Sequence, residues 1–185
     1  MTNAKNKFLL LLLLFLTSFS IAAYSAEQKI VRFPGKVNSL SSPDHKYRLI
    51  NVDSDKQDEE GNNHYLMIGG SRKIFSYGRY VEVFWSPNSQ LLVVNDYGGS
   101  DYSSCVIVSM SESQKKSDIG KQLNDELQGS EDIFKNHHLY IEGVKWFDSN
   151  HLKVKVRGYE KRGSKNITLL YSYDTRDGLF KKLNR

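Results

Sequence analysis

The stretch Asn95-Asp96-Tyr97-Gly98-Gly99-Ser100-Asp101-Tyr102-Ser103-Ser104 gathers two carboxylates, two phenols, three hydroxyls and a glycine pair into ten residues. Adjacent glycines permit positive φ, so the loop can fold back and turn Asp96 and Asp101 toward one point. Carboxylates placed that way suit a cation or a sugar hydroxyl, and at the right separation they serve as acid and base in a small hydrolase or carbohydrate-active protein. The same residue types also build a plain long hairpin, with Asp and Ser bonded to nearby backbone. No Gly-x-Ser-x-Gly occurs here, so the loop is not a nucleophile elbow.

Other residue types offer less. The acidic run from Asn51 to Gly61 places Asp53 and Asp55 at the first and third positions of a calcium loop. Asp58 then stands where that loop needs glycine, and His64 where it needs glutamate, so the template fails. The five histidines (His45, His64, His137, His138 and His151) form no His-x-His or His-x-x-x-His pair. His137 and His138, if on a strand, point to opposite faces. The reading is therefore no metal and no cofactor. Cys105 stands alone, which excludes an internal disulfide and a four-cysteine zinc site, and its neighbours Val106-Ile107-Val108 place it in a buried strand.

Charge is informative by position. The chain of 185 residues has a formal net charge of +5. From Lys135 to Arg185 there are 12 Lys and Arg against 5 Asp and Glu, whereas Glu27 to Phe134 has 12 against 16. In the basic part, Leu152, Val154 and Val156 alternate with Lys153, Lys155 and Arg157. That period predicts a strand with one face buried and three cations on the other. Lys161, Arg162 and Lys165 follow in the next loop. Such a stripe attracts an anionic envelope component or an acidic protein; alternatively, lysines of this kind guard an open sheet edge against aggregation. No nucleic-acid motif accompanies it.

The elements that must hold these residues are mostly strands. Runs rich in Tyr, Val, Ile and Phe recur between turn signals such as Gly69-Gly70, Ser86-Pro87-Asn88, Gly98-Gly99, Ser149-Asn150 and Asp177-Gly178. Between about 113 and 136 the period changes: Ile119, Leu123 and Leu127 lie four apart and line one helix face, an insertion between β units. Ahead of all this, Lys5 and Lys7 precede an apolar run from Phe8 to Leu16, and small residues come after it. That order predicts a signal peptide over 1–25, cut after Ser25 or Ala26. The run is shorter than the roughly 20 apolar residues of a membrane span. A single mainly-β domain over 27–185, periplasmic or secreted and with no transmembrane segment after cleavage, is the expectation.

A repeat runs through the strands. Trp85-Ser86-Pro87-Asn88-Ser89, followed by Gln90-Leu91-Leu92-Val93-Val94, has an earlier echo in Ser42-Pro43-Asp44-His45 and a later one in Trp146-Phe147-Asp148-Ser149-Asn150. The first two copies are 44 positions apart, close to the roughly 40–45 residues of a four-stranded propeller blade. This turn resembles the Trp-Ser-Pro-Asp-Gly/Ser repeat of TolB-type periplasmic β-propellers. The resemblance implies about three blade-like units, fewer than the roughly four to eight of a closed propeller. The expected fold is hairpin-rich and antiparallel, an open twisted sheet or small sandwich, with the helix over an edge or face. Function reads first as a non-enzymatic binding or interaction protein using Lys153, Lys155 and Arg157. An inhibitor-type partner of another secreted protein is a further option, and a hydrolase using Asp96 and Asp101 is the enzymatic alternative.

Overall fold

A computed structural model of the protein describes residues 28–111, 113–127, 137–160 and 166–184. The segment 1–25, expected as a signal peptide, and residues 128–136 of the expected helical insert lie outside this set. Within it, β-branched and aromatic side chains build three antiparallel sheets, with a single short helix and no closed barrel. The first sheet is a meander of β2 (Ser39–Ser41), β3 (Arg48–Asp53), β4 (His64–Ile68) and β5 (Arg72–Tyr77). The second joins β6 (Val81–Trp85), β7 (Leu91–Asp96), β8 (Ser104–Ser109) and β9 (Lys116–Asp118), and β1 (Val31–Phe33) adds beside β6. The third is β10 (His137–Trp146), β11 (His151–Glu160), β12 (Asn166–Asp174) and β13 (Phe180–Lys182).

The three copies of the sequence repeat occupy one topological place, the hairpin between the first and second strands of each meander. The first two are alike atom by atom. Ser42 Oγ donates to Asp44 Oδ1 (2.8 Å) and accepts from the Tyr47 N–H (3.0 Å); Ser86 Oγ donates to Asn88 Oδ1 (2.7 Å) and accepts from the Leu91 N–H (2.9 Å). The fourth turn residue takes a positive φ in both, 60° at His45 and 63° at Ser89. Serine-type hydroxyls thus satisfy backbone donors that a tight reversal leaves without strand partners. The third copy lacks the serine and proline, and Asp148 Oδ1 instead accepts the N–H groups of Asn150 (2.7 Å) and His151 (2.8 Å). The first two turns also touch, since the Asp44 N–H donates to Ser89 Oγ at 3.0 Å.

The sheets stack three deep, rather than as one open sheet or a two-layer sandwich. The second sheet is the middle layer because its strands are apolar on both faces. Val81, Val83, Trp85, Leu92, Val94 and Val108 pack toward the first sheet's Leu49, Leu66, Ile74 and Tyr77, with Val31 and Phe33 of β1. The intervening residues Phe84, Val93, Cys105 and Ile107 pack toward Leu152, Val154, Val156, Tyr171 and Tyr173 of the third sheet. A strand buried on both sides reads as a continuous apolar run, as Leu91-Leu92-Val93-Val94 does. The helix α1 (Ile119–Leu127) buries Ile119 and Leu123 in the second of these cores. Asp118 caps its start by accepting the Lys121 N–H at 2.9 Å. The expected insert therefore begins differently: Lys116–Asp118 is a strand paired with β8, and the helix follows it.

The seam between the second and third sheets rests on Asn95 and Gly143. The Asn95 amide donates to the Gly143 carbonyl and accepts its N–H, both at 2.8 Å and both buried. A Cβ at Gly143 would lie 2.8 Å from Val93 Cγ1 and 3.2 Å from Cys105 Sγ. Only glycine lets β10 come this close, and the β10–β11 register shifts by a bulge between Gly143 and Lys145.

Candidate functional site

Strand β7 ends at Asp96, and the polar loop after it runs between the other two sheets. Asp96 lines a cavity of about 670 Å³ with Asp58, Glu59, Glu60, Phe75, Tyr102 and Lys116. Its Oδ1 is buried and accepts no hydrogen bond among the described residues. Burial raises the carboxyl to about 6, against an opposing pull from the Gly98 N–H. Asp58 is already engaged by the N–H groups of Asn62 (2.8 Å) and Glu60 (3.1 Å), and by Lys73 at 3.7 Å. The acidic run before it starts in β3, where Asp53 lies 2.7 Å from His64 Nδ1, and continues as a mostly exposed loop toward β4.

Asp101 serves the opposite side of the same loop. Its carboxylate is 3.7 Å from His138 Nδ1 on β10, and it is not among the residues lining the cavity. Around it the loop is sewn to β10: the Tyr140 hydroxyl donates to the Ser100 carbonyl at 2.8 Å. The Ser103 N–H donates to the Leu139 carbonyl at 3.2 Å, and the Ile141 N–H donates to the Ser103 carbonyl at the same distance. Asp96 thus faces the first sheet and Asp101 the third, and no shared partner joins the two carboxylates among the described residues.

The basic strand has the orientation its alternation requires. Leu152, Val154 and Val156 are fully buried, and Lys153, Lys155 and Arg157 lie on the outer face of the third sheet. Strand β11 is paired on both sides, by β10 and β12, so these cations do not guard an open edge. Two of the three are occupied. Glu142, across on β10 and 9% exposed, takes Lys155 at 3.3 Å and a close ion pair from Arg157. That carboxylate holds the Arg157 guanidinium above its ordinary range despite a burial that works the other way. The guanidinium also lies 5.6 Å from the Tyr140 ring centre, and Tyr159 meets Tyr140 edge-on.

Lys153 is placed otherwise. Its register partner on β10 is Lys145, its partner on β12 is Ser172, and Ser172 pairs with Lys181 on β13. The bulge after Gly143 brings Lys145 outward, because Trp146 opposite Leu152 is buried. Phe180, one residue from Lys181, packs against the inner core and so sends Lys181 outward too. A row of Lys145, Lys153, Ser172 and Lys181 therefore crosses all four strands. None of these lysines has a carboxylate partner among the described residues, and Lys145 Nζ lies 5.8 Å from the exposed Phe147 ring. At one end the face is bounded by His151, held between Asp148 (2.7 Å) and Asp174 (3.3 Å). Lys145 and Lys181 escape sequence reasoning because only strand register, not local alternation, brings them beside Lys153.

Cys105 is fully buried and burial pushes its thiol up to about 12, so the thiolate is suppressed. Among the described residues no group of three or more His, Cys, Asp or Glu could hold a metal ion, and no helix is long and apolar enough to cross a membrane. No family model matches the chain, and neither curated proteins nor solved structures provide a match.

Proposed function

We propose that this chain is an exported, non-enzymatic binding protein that holds an anionic partner against the outer face of its third sheet. One observation carries the reading: Lys145, Lys153 and Lys181 stand in a row on an exposed sheet face with no carboxylate partner among the described residues. Charge of one sign gathered on a flat face raises the local concentration of a counter-charged partner and is expensive to leave uncompensated at low salt. The basic start and short apolar core of the first 25 residues support export. The three blade-like meanders resemble TolB-type repeats, and units of that kind serve scaffolds and enzymes alike, so the reading rests on the lysine row and not on the fold.

The test is recovery of partners from the native cell envelope at low and high salt. The parent protein is expected to retain a partner at 20 mM NaCl and release it at 500 mM (concentrations of roughly the span over which exposed charges are screened). Charge reversal by Lys145→Glu, Lys153→Glu and Lys181→Glu together abolishes that retention while the far-ultraviolet spectrum stays unchanged. Equal recovery by the folded triple variant overturns the reading. The enzymatic alternative has Asp96 in a cavity, but Asp101 lies against His138, so that pair does not supply both an acid and a base there.

A further inference from the structure

The row of lysines has a direction, and the direction says what kind of anion it fits. We infer that the partner is a linear acidic polysaccharide that lies across the strands of the third sheet, along Lys145, Lys153, Ser172 and Lys181. This inference rests on the anion-binding reading above and deepens it.

Neighbouring strands are about 4.8 Å apart, and the four residues are consecutive register partners. The ammonium groups of Lys145 and Lys153 are therefore rooted one strand spacing apart, and Lys181 is rooted two further on, with a hydroxyl in between. A pyranose advances its chain by a distance close to one strand spacing. A polysaccharide crossing the sheet thus presents about one sugar to each strand, meeting ammonium, ammonium, hydroxyl and ammonium in turn. The hydroxyl of Ser172 suits a sugar hydroxyl, and the exposed ring of Phe147 beside Lys145 offers an apolar surface for a sugar ring.

Other polyanions meet the same face differently. An arginine fork would serve phosphate and carboxylate alike, but Arg157 is already committed to Glu142, so the row offers point-charge ammonium groups to either anion and the spacing along the row is what favours a sugar chain. Single-stranded nucleic acid needs aromatic platforms for successive bases, whereas Tyr140 and Tyr159 are packed edge-to-face on each other and Tyr140 also bonds the Ser100 carbonyl. An anionic bilayer takes apolar side chains beside the cations for insertion; Phe147 next to Lys145 and Leu179 two residues before Lys181 are both exposed there, so a bilayer is the direct competitor that the vesicle arm below tests.

The geometry also makes Glu142 an internal competitor. It neutralises Lys155 and Arg157, one row along from Lys153. Glu142→Gln releases both cations to the ligand while keeping the side chain's shape.

The experiment uses the full folded chain and fluorescent oligogalacturonates of two, four, six and eight sugars, titrated between 20 and 200 mM NaCl. Affinity is expected to rise more than tenfold from two sugars to six and then level off, once the four strands are spanned. For about three ammonium contacts, log K should fall with log salt with a slope of about −2. Lys145→Gln with Lys181→Gln, both at exposed positions, should weaken binding at least tenfold, and Glu142→Gln should strengthen it several-fold. Phosphatidylglycerol vesicles and oligo-dT of matched charge are run in parallel. Binding to either of these as tight as to the glycan overturns the polysaccharide inference and leaves the anion-binding reading standing. Binding to none of the three overturns both. Glycan binding that the lysine variants do not weaken, or that shows no length dependence, overturns the inference as well.

Discussion

At the scale of single residues, Asp96 is the group whose environment most opposes its ordinary chemistry. Its carboxyl sits at about 6 in the fold against 3.8 for an unperturbed Asp, because burial disfavours the anion. The folded state therefore binds this proton more tightly than the unfolded state, and the Asp96 contribution to stability falls as pH rises from about 4 through 6. Partial exposure screens the effect, leaving about 1–2 kcal/mol. Asp96→Asn is expected to be more stable than the parent by that amount at pH 7.5 and to lose most of the advantage at pH 4.5, measured by urea denaturation at both values. An equal difference at the two pH values would show that burial does not act on the charge. The sequence marked Asp96 and Asp101 as a pair because loop composition says nothing of which neighbour each side chain meets. One follows the end of β7 toward the first sheet; the other is drawn to β10 by His138.

At the scale of elements, the repeated turn shows how one local solution is used twice with different tolerance. His45 and Ser89 both hold a positive φ that favours glycine. His45 is exposed and its side chain makes no hydrogen bond among the described residues, so His45→Gly should raise stability by about 0.5–1 kcal/mol. Ser89 is fully buried and its hydroxyl accepts the Asp44 N–H. Ser89→Gly gains the same backbone relief but strands that donor, and is expected to be neutral or destabilising by up to about 1 kcal/mol. Thermal denaturation of the two variants side by side distinguishes them. These turns were readable because Pro, Asn and Ser mark a reversal by their own chemistry. The long strands were readable because Leu152, Val154 and Val156 alternate with charge. The three-residue strands Ser39–Ser41 and Lys116–Asp118 were not, since neither carries a β-branched residue and both exist only because a neighbour pairs with them. The row through Lys145 and Lys181 was hidden for a related reason. A bulge and two hairpin registers, none of them local, decide that these side chains stand beside Lys153.

At the scale of the molecule, the middle sheet ties two cores into one unit. The chain has two tryptophans, and each reports a different core: Trp85 packs in that shared with the first sheet, Trp146 in that shared with the third. Because β6, β7 and β8 send alternate residues into both, neither core can open without disturbing the other. In Trp85→Phe and Trp146→Phe, the remaining tryptophan's fluorescence and the far-ultraviolet signal are expected to give one coincident urea midpoint. Separate midpoints would mean that the sheets melt independently. The fold class, mainly antiparallel β with one helix, was legible from alternation and turn chemistry. The three-layer stacking was not, because an apolar run such as Leu91–Val94 announces burial on both faces without saying what lies against each.

The amino-terminal stretch closes this arrangement. The Gln28 side-chain amide donates to the Val144 carbonyl at 3.2 Å and accepts the Trp146 N–H at 2.9 Å, while Val31–Phe33 a few residues on pairs with β6. The first described residue is thereby fastened to the last sheet, 116 and 118 positions away. A chain made from its amino-terminal side presents Gln28 long before the third sheet. Val31–Phe33 can pair as soon as Val81–Trp85 has followed, but the Gln28 amide finds its partners only when Val144 and Trp146 arrive. The same few residues are thus tied at two different moments, first along the backbone to the middle sheet and later through one side chain to the third.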